Sequence, residues 1–282
     1  MKREIAAAVA IPIVLAILFF LPPIAFNLLV AVFALAALWE FYRMAEKTGH
    51  PAAKTVGMMA ALVPLAATPI LWSQGFEGAV QIGAGSFEPF SLLSCLLVGV
   101  LLFAFVSSMA PLLSGVTPLV ALGGAASTFF GMFVIVLPAL SLDYLRNFSP
   151  RGVLFLFLIV WGCDSFAYYG GRRFGRHKLA PTVSPNKTVE GSIFGLIGAT
   201  LIGAGAGAWW VFPEFGPARG ALAGAVASTA GQIGDLVESM WKRGAGVKDS
   251  GTFLPGHGGF YDRIDSLLFA GPVLAGFVAM LP

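Results

Sequence analysis

Residues 1–23 read Met-Lys-Arg-Glu-Ile-Ala-Ala-Ala-Val-Ala-Ile-Pro-Ile-Val-Leu-Ala-Ile-Leu-Phe-Phe-Leu-Pro-Pro. Charge comes first, then an apolar run, then a proline pair. The run over 4–20 has the length, roughly 17–25 residues, that crosses a ~30 Å hydrocarbon layer as a helix. Pro22-Pro23 ends it, because a helix breaks there. The same order of charge and apolar residues opens a cleaved secretion signal. A retained first span is the better reading, since many more spans follow and no convincing cleavage site appears.

Working outward, the apolar pattern repeats. Hydrophobic residues make up 57% of the 282-residue chain, against about 45–50% in soluble domains, and the mean hydropathy is +0.86. The excess lies in runs of spanning length, and the alternating pattern of an outer-membrane barrel is absent. The expected fold is all-α, a polytopic integral membrane protein. Its nine spans are expected at about 4–20, 23–45, 55–73, 90–108, 117–141, 152–172, 190–212, 217–241 and 263–281. They form one membrane domain over 1–282, with N-terminal spans in 1–150 and, in 151–282, the spans and cytoplasmic loops that carry the candidate functional residues.

Charge tests the count. With nine spans and the N-terminus inside, all of the 17 Lys and Arg except Arg146, Arg151 and Arg219 fall on the cytoplasmic side. That bias predicts N-in and C-out. The glycine-rich third loop, with Glu77 and Glu88 but no Lys or Arg, falls outside. A net charge of +3 gives no reason to expect a nucleic-acid partner. Cys95 and Cys163 sit in apolar runs and read as small hydrophobes. Gly203/Gly207 and Gly220/Gly224 are Gly-x-x-x-Gly pairs, read as close helix packing. The glycines around 203–207 follow no strand, so they are not a dinucleotide loop.

Carboxylates inside apolar spans are expensive, and therefore candidates for function. Glu40, Asp164, Asp235 and Glu238 all fall in the cytoplasmic half of their spans. Asp235, Glu238, Ser239 and Lys242 share one helical face, at i, i+3, i+4 and i+7. A plain Glu238–Lys242 ion pair is the competing reading for Glu238. Asp164 and Asp235 have no cation one turn away. The segment 239–265 then sets Lys242, Arg243, Lys248 and Arg263 beside Asp249, Asp262, Asp265, His257 and six glycines. A connection this long without periodicity is usually functional or disordered. Hard carboxylates without a His or Cys cluster suit Mg²⁺, which binds through one or two carboxylates and substrate phosphates. Asp265 also fits a helix N-terminus on dipole grounds alone. His257 reads as a phosphate donor or a loop organiser.

A second polar segment, 170–191, joins spans six and seven. Arg172, Arg173, Arg176 and Lys178 need no more than an anchoring role at an anionic membrane surface. That role does not explain Ser184-Pro-Asn-Lys-Thr-Val-Glu-Gly191, where turn residues surround one lysine and one glutamate.

Residues 239–265 fit Ser-x-x-Lys-Arg, four residues, Lys-Asp-x-Gly, three residues, Pro-Gly-His-Gly-Gly, two residues, Asp-Arg-x-Asp at every defined position. This resembles the signature of the phosphatidate cytidylyltransferases, or CDP-diacylglycerol synthases. Residues 184–191 and the Asp164 span are similar to that family too, so the likeness covers about 161–266. It implies condensation of CTP with phosphatidate to CDP-diacylglycerol and pyrophosphate, in phospholipid biosynthesis at the plasma (inner) membrane, with the active site facing the cytoplasm. It implies Mg²⁺, and a second, monovalent cation such as K⁺. Phosphatidate already carries an ionised oxygen, so positioning and charge neutralisation suffice for catalysis.

Under that implication Asp235 and Asp262 are the first metal candidates, followed by Asp265 and Asp249. Asp164 is a metal ligand or a group behind one. Asp235, Lys248, Asp249, Asp262 and Arg263 form the expected catalytic group. Ser184, Lys187, Ser239, Lys242, Arg243 and His257 are expected to contact substrate, Lys187 on either the lipid phosphate or CTP. The acyl chains enter sideways from the bilayer. A homodimer through the small-residue faces is expected on general grounds. The competing class is a cation- or proton-coupled transporter using Asp164, Asp235 and Glu238. It leaves the mixed charge of residues 239–265 without a purpose.

Overall fold

The computed structural model describes residues 2–73, 103, 106, 109, 117–209, 211–251 and 258–281. The third loop, His257 and the fourth expected span (except residues 103 and 106) lie outside the described residues. The helices are α1 (Lys2–Phe20), α2 (Pro23–Lys47), α3 (Lys54–Ser73), α4 (Pro118–Gly131), α5 (Leu137–Phe148), α6 (Pro150–Phe174), α7 (Val189–Ala208), α8 (Gly216–Gly244) and α9 (Tyr261–Ala279). A π-helical turn, Met132–Val136, carries α4 into α5. The fold is all-α, with one addition absent from the sequence reading. Strands β1 (Lys178–Ala180) and β2 (Ser184–Thr188) form an antiparallel hairpin between α6 and α7.

Among the described residues, four helices are long and apolar enough to cross a membrane: Pro23–Lys47, Val120–Phe148, Pro150–Phe174 and Val189–Ala208. Their starts follow local chemistry. Pro22 precedes α2 and Pro23 opens it, the position where a missing N–H does no harm. Ser149 accepts a hydrogen bond from the Arg151 N–H at the head of α6 (3.2 Å). Thr188 does the same for Gly191 at the head of α7 (3.1 Å).

The chain divides into two compact units, Pro22–Leu140 and Met1–Leu21 with Ser141–Pro282. In the first, the Tyr42 ring is wholly buried, and a Cβ on Gly57 or Gly131 would overlap it. Its hydroxyl donates to the Thr128 carbonyl (2.9 Å), and the Thr128 hydroxyl accepts from the Ala53 N–H (2.8 Å). Glu40 is buried on α2 of this unit.

In the second unit α7 and α8 touch backbone to backbone. A Cβ on Gly203 would run into the Gly220 carbonyl, and one on Gly220 into the Gly203 carbonyl. Gly207 and Gly224 sit on the same seam. Both Gly-x-x-x-Gly pairs are therefore packing devices. Phe155, Phe212 and Phe215 pack ring to ring at the opposite end from the charged face, with centroids 4.7–5.8 Å apart. Cys163 is buried as a small hydrophobe. Phe166, Tyr168 and Tyr169 are exposed on α6, just before Arg172 and Arg173. Aromatic rings ahead of arginines are the usual marking of a membrane–water boundary.

Candidate active site

The site is built on the last turns of α8 and the first turn of α9. Trp241 of α8 stacks on Tyr261 of α9, with ring centroids 6.4 Å apart, which fixes the two ends together. Glu238 has no exposed surface. The Lys242 ammonium lies 2.6 Å from Glu238 Oε2 and 2.6 Å from Asp262 Oδ1. The ion pair that competed as an explanation of Glu238 is thus present, and it leaves Glu238 Oε1 buried with no hydrogen-bond partner among the described residues.

Asp262 is fully engaged. Its Oδ2 accepts from the Ser250 N–H (3.0 Å), the Ser250 hydroxyl (3.0 Å) and the Gly259 N–H (2.7 Å). It pins both described ends of the connection between α8 and α9. Gly258 has φ +76°, and a Cβ there would collide with Asp262 Oδ2. Only glycine meets both demands cheaply.

Asp235, Glu238 and Asp265 each bring a carboxylate oxygen within 4.8 Å of the others. Two adjacent helices thus direct three carboxylates at one point. Like charges this close repel unless a cation or a proton sits among them. The donors are all hard oxygens, and one of them, Glu238 Oε1, is buried and unsatisfied. This set fits a divalent ion of the Mg²⁺ type. Asp265 Oδ1 also accepts from the Ser266 N–H (2.6 Å), and Ser239 donates weakly to Asp235 (3.4 Å).

The hairpin brings one more cation. Lys187 of β2 lies 2.5 Å from Asp235 Oδ2. Glu190 anchors the base of the hairpin. It accepts from the Arg176 N–H (3.0 Å) and the His177 N–H (3.2 Å), and pairs with His177 Nδ1 (2.6 Å). Arg243 holds the turn by donating to the Val183 carbonyl (3.2 Å), and also donates to Val247 (3.1 Å). The lysine and glutamate of residues 184–191 therefore have separate tasks. Lys187 faces the carboxylates, and Glu190 ties down the strand pair that carries it.

Between α6, the hairpin, α7 and α8 lies a cavity of about 440 Å³. Asp164, Arg172, Lys187, Ser192, Gln232 and Asp235 contribute its polar lining. Ser192 donates to Gln232 Oε1 (2.5 Å), which fixes that amide. Asp235 belongs to both the cavity and the carboxylate group.

Of the residues expected from sequence, Lys187, Asp235, Ser239, Lys242, Asp262 and Asp265 are brought together by the contacts above, and Asp164 joins them through the cavity. Ser184 starts β2 opposite Ala180. Lys248 and Asp249 are exposed after α8, and Arg263 is exposed on the first turn of α9. Ser192 and Gln232 escaped the sequence reading, and Arg172, read there as a membrane-surface anchor, lines the cavity. Gln232 had a signal, since it lies one turn before Asp235 on the same helix.

The chain belongs to the Cytidylyltransferase family, whose model matches residues 1–281. It is similar to proteins named phosphatidate cytidylyltransferase from three bacteria. With that of Staphylococcus saprophyticus it is 49% identical over 150 residues, covering 51% of this chain and 56% of the relative. With that of Synechocystis sp. it is 45% identical over 139 residues, 48% and 46% of the two chains. With that of Brucella abortus it is 43% identical over 161 residues, 53% and 56%. The matches span about half the length of these relatives.

Proposed function

We propose that this protein transfers a cytidylyl group from CTP to phosphatidate, giving CDP-diacylglycerol and pyrophosphate. The observation that carries the reading is the convergence of Asp235, Glu238 and Asp265 between Lys187 and Lys242, in a chain of this family. An oxygen of the lipid phosphate forms a bond to the α-phosphorus of CTP. The bond from that phosphorus to the β-phosphate bridge oxygen breaks, and pyrophosphate leaves with the electron pair. No protein nucleophile is consumed.

The residues bind, orient and neutralise. Asp235, Glu238 and Asp265 would hold a divalent ion, which supplies charge neutralisation at the reacting and leaving phosphates. Lys187 and Lys242 offer ammonium groups beside that point. Asp262 keeps Lys242 aimed and closes the connection around it. Asp164 lines the cavity behind Asp235. The transition state asks mainly for fixed charge in a fixed place, and this lattice of ion pairs provides it.

The orientation that fits this reaction is N-in and C-out with nine spans. It sets the site at the cytoplasmic face of the plasma membrane, where CTP is available. The fourth span and the count of nine belong to this proposal, as do Mg²⁺, a second cation and a homodimer. The test is pyrophosphate release by the full chain in detergent–phosphatidate micelles. Release should require CTP, phosphatidate and Mg²⁺ together, and should be lost when ATP replaces CTP or when EDTA is added. Folded protein that releases no pyrophosphate under these conditions would sink the reaction and favour another lipid phosphate acceptor, then ion transport.

A further inference from the structure

Two arginines close α6, and they stand in different places. Arg173 lies over the Phe174 ring, 5.6 Å from its centroid, a cation–π contact. Arg172 belongs to the helical face that also carries Asp164, Ala167, Tyr168 and Gly171, and all five line the cavity. Among the described residues nothing pairs with the Arg172 guanidinium. A guanidinium is a rigid fork of donors with no acceptor of its own, matched in shape to phosphate oxygens.

The rest of the cavity suits the same occupant. Its far wall is the first turn of α7, with Thr188, Gly191 and Ser192. A helix of 20 residues adds the positive potential of its dipole there, with its Val189 and Gly191 N–H groups already held by the His177 carbonyl and the Thr188 hydroxyl. Lys187 reaches the cavity from the hairpin, and Asp235 links it to the carboxylate group. Tyr168 is 60% exposed and its neighbour Tyr169 68% exposed. Such rings sit at headgroup level, so the cavity lies where a lipid phosphate lies. Its volume of about 440 Å³ is within the range of small-ligand pockets, roughly 300–1,000 Å³.

We propose that the cavity is a phosphate subsite and that Arg172 is its specific clasp, holding the phosphate of the lipid acceptor beside Asp235. A nucleotide phosphate offers the same oxygens, so the assay separates the two sources. The inference rests on the reaction proposed above.

The experiment compares wild type with Arg172→Gln, Arg172→Lys and Arg173→Gln, measuring kcat and the KM for phosphatidate and for CTP separately. Arg172→Gln should raise the KM for phosphatidate about tenfold, as loss of a charge-assisted pair does. The KM for CTP and kcat should change little. Arg172→Lys should regain part of the loss, and Arg173→Gln should match wild type. A rise in the CTP KM alone would support the subsite and make its phosphate the nucleotide's. Unchanged KM values, equal rises for both substrates, or an equal defect in Arg173→Gln would overturn it. If wild type shows no turnover, the proposed reaction fails by itself. The subsite is then judged on binding, by whether a short-chain phosphatidate raises the melting temperature of wild type and not of Arg172→Gln.

Discussion

The two halves of α8 hold their neighbours in opposite ways. The first half presents Gly220 and Gly224, and α7 comes so close that no side chain fits between. The second half presents Asp235, Glu238 and Lys242, and its partners β2 and α9 are held by charge. The glycine half has one arrangement available to it. The charged half can exchange partners, because an ammonium beside a carboxylate can give way to another cation. A rigid seam next to a set of exchangeable contacts is what reaction by positioning requires.

This contrast can be broken at either end. Asp235→Asn or Glu238→Gln should lower kcat by about 10³-fold or more, on the scale of removing a key electrostatic group, with the melting temperature nearly kept. Near-normal pyrophosphate release in either variant would remove the metal assignment. Lys187→Ala should cost about 10²-fold in kcat/KM, again with the fold intact, as read by the same assay and by thermal unfolding. Gly220→Leu should do the reverse. It should destabilise the protein by roughly 1–3 kcal/mol through overpacking, seen as a lower melting temperature, and reduce activity only through lost folded protein. The smallest effect is expected at the hairpin. Glu190→Gln should loosen its anchor on the Arg176 and His177 N–H groups, read as faster tryptic cleavage at Arg176 and Lys178. Unchanged cleavage would show that the strand pair is held by other means.

Much of this was legible in residues. Pro22-Pro23, the apolar runs and the Gly-x-x-x-Gly pairs announced helices and their close packing, because those signals are local. The shared face of Asp235, Glu238 and Lys242 was legible for the same reason. What spacing could not decide was how carboxylates from different helices are shared out. Asp262 and Asp265 lie one turn apart, yet the first binds Lys242, Ser250 and Gly259 while the second joins Asp235 and Glu238. That partition depends on the packing of α8 on α9, which no local pattern records. The hairpin was hidden too. Three and five residues with lysine, proline and asparagine carry no strand alternation, and its register is set by Glu190 and Arg243 from outside. Arg172 and Arg173 are adjacent letters, and a helix sends them about 100° apart.

The pairing of Lys187 with Asp235 and of Lys242 with Glu238 and Asp262 bears on how such a chain is made. Small domains organised by a structural ion remain unfolded until the ion arrives. Here the polypeptide brings its own counter-ions. Asp235, Glu238 and Asp262 can pass through synthesis and membrane insertion already paired, and the finished protein can await its cofactor in a folded state. Assembly and loading become separate events.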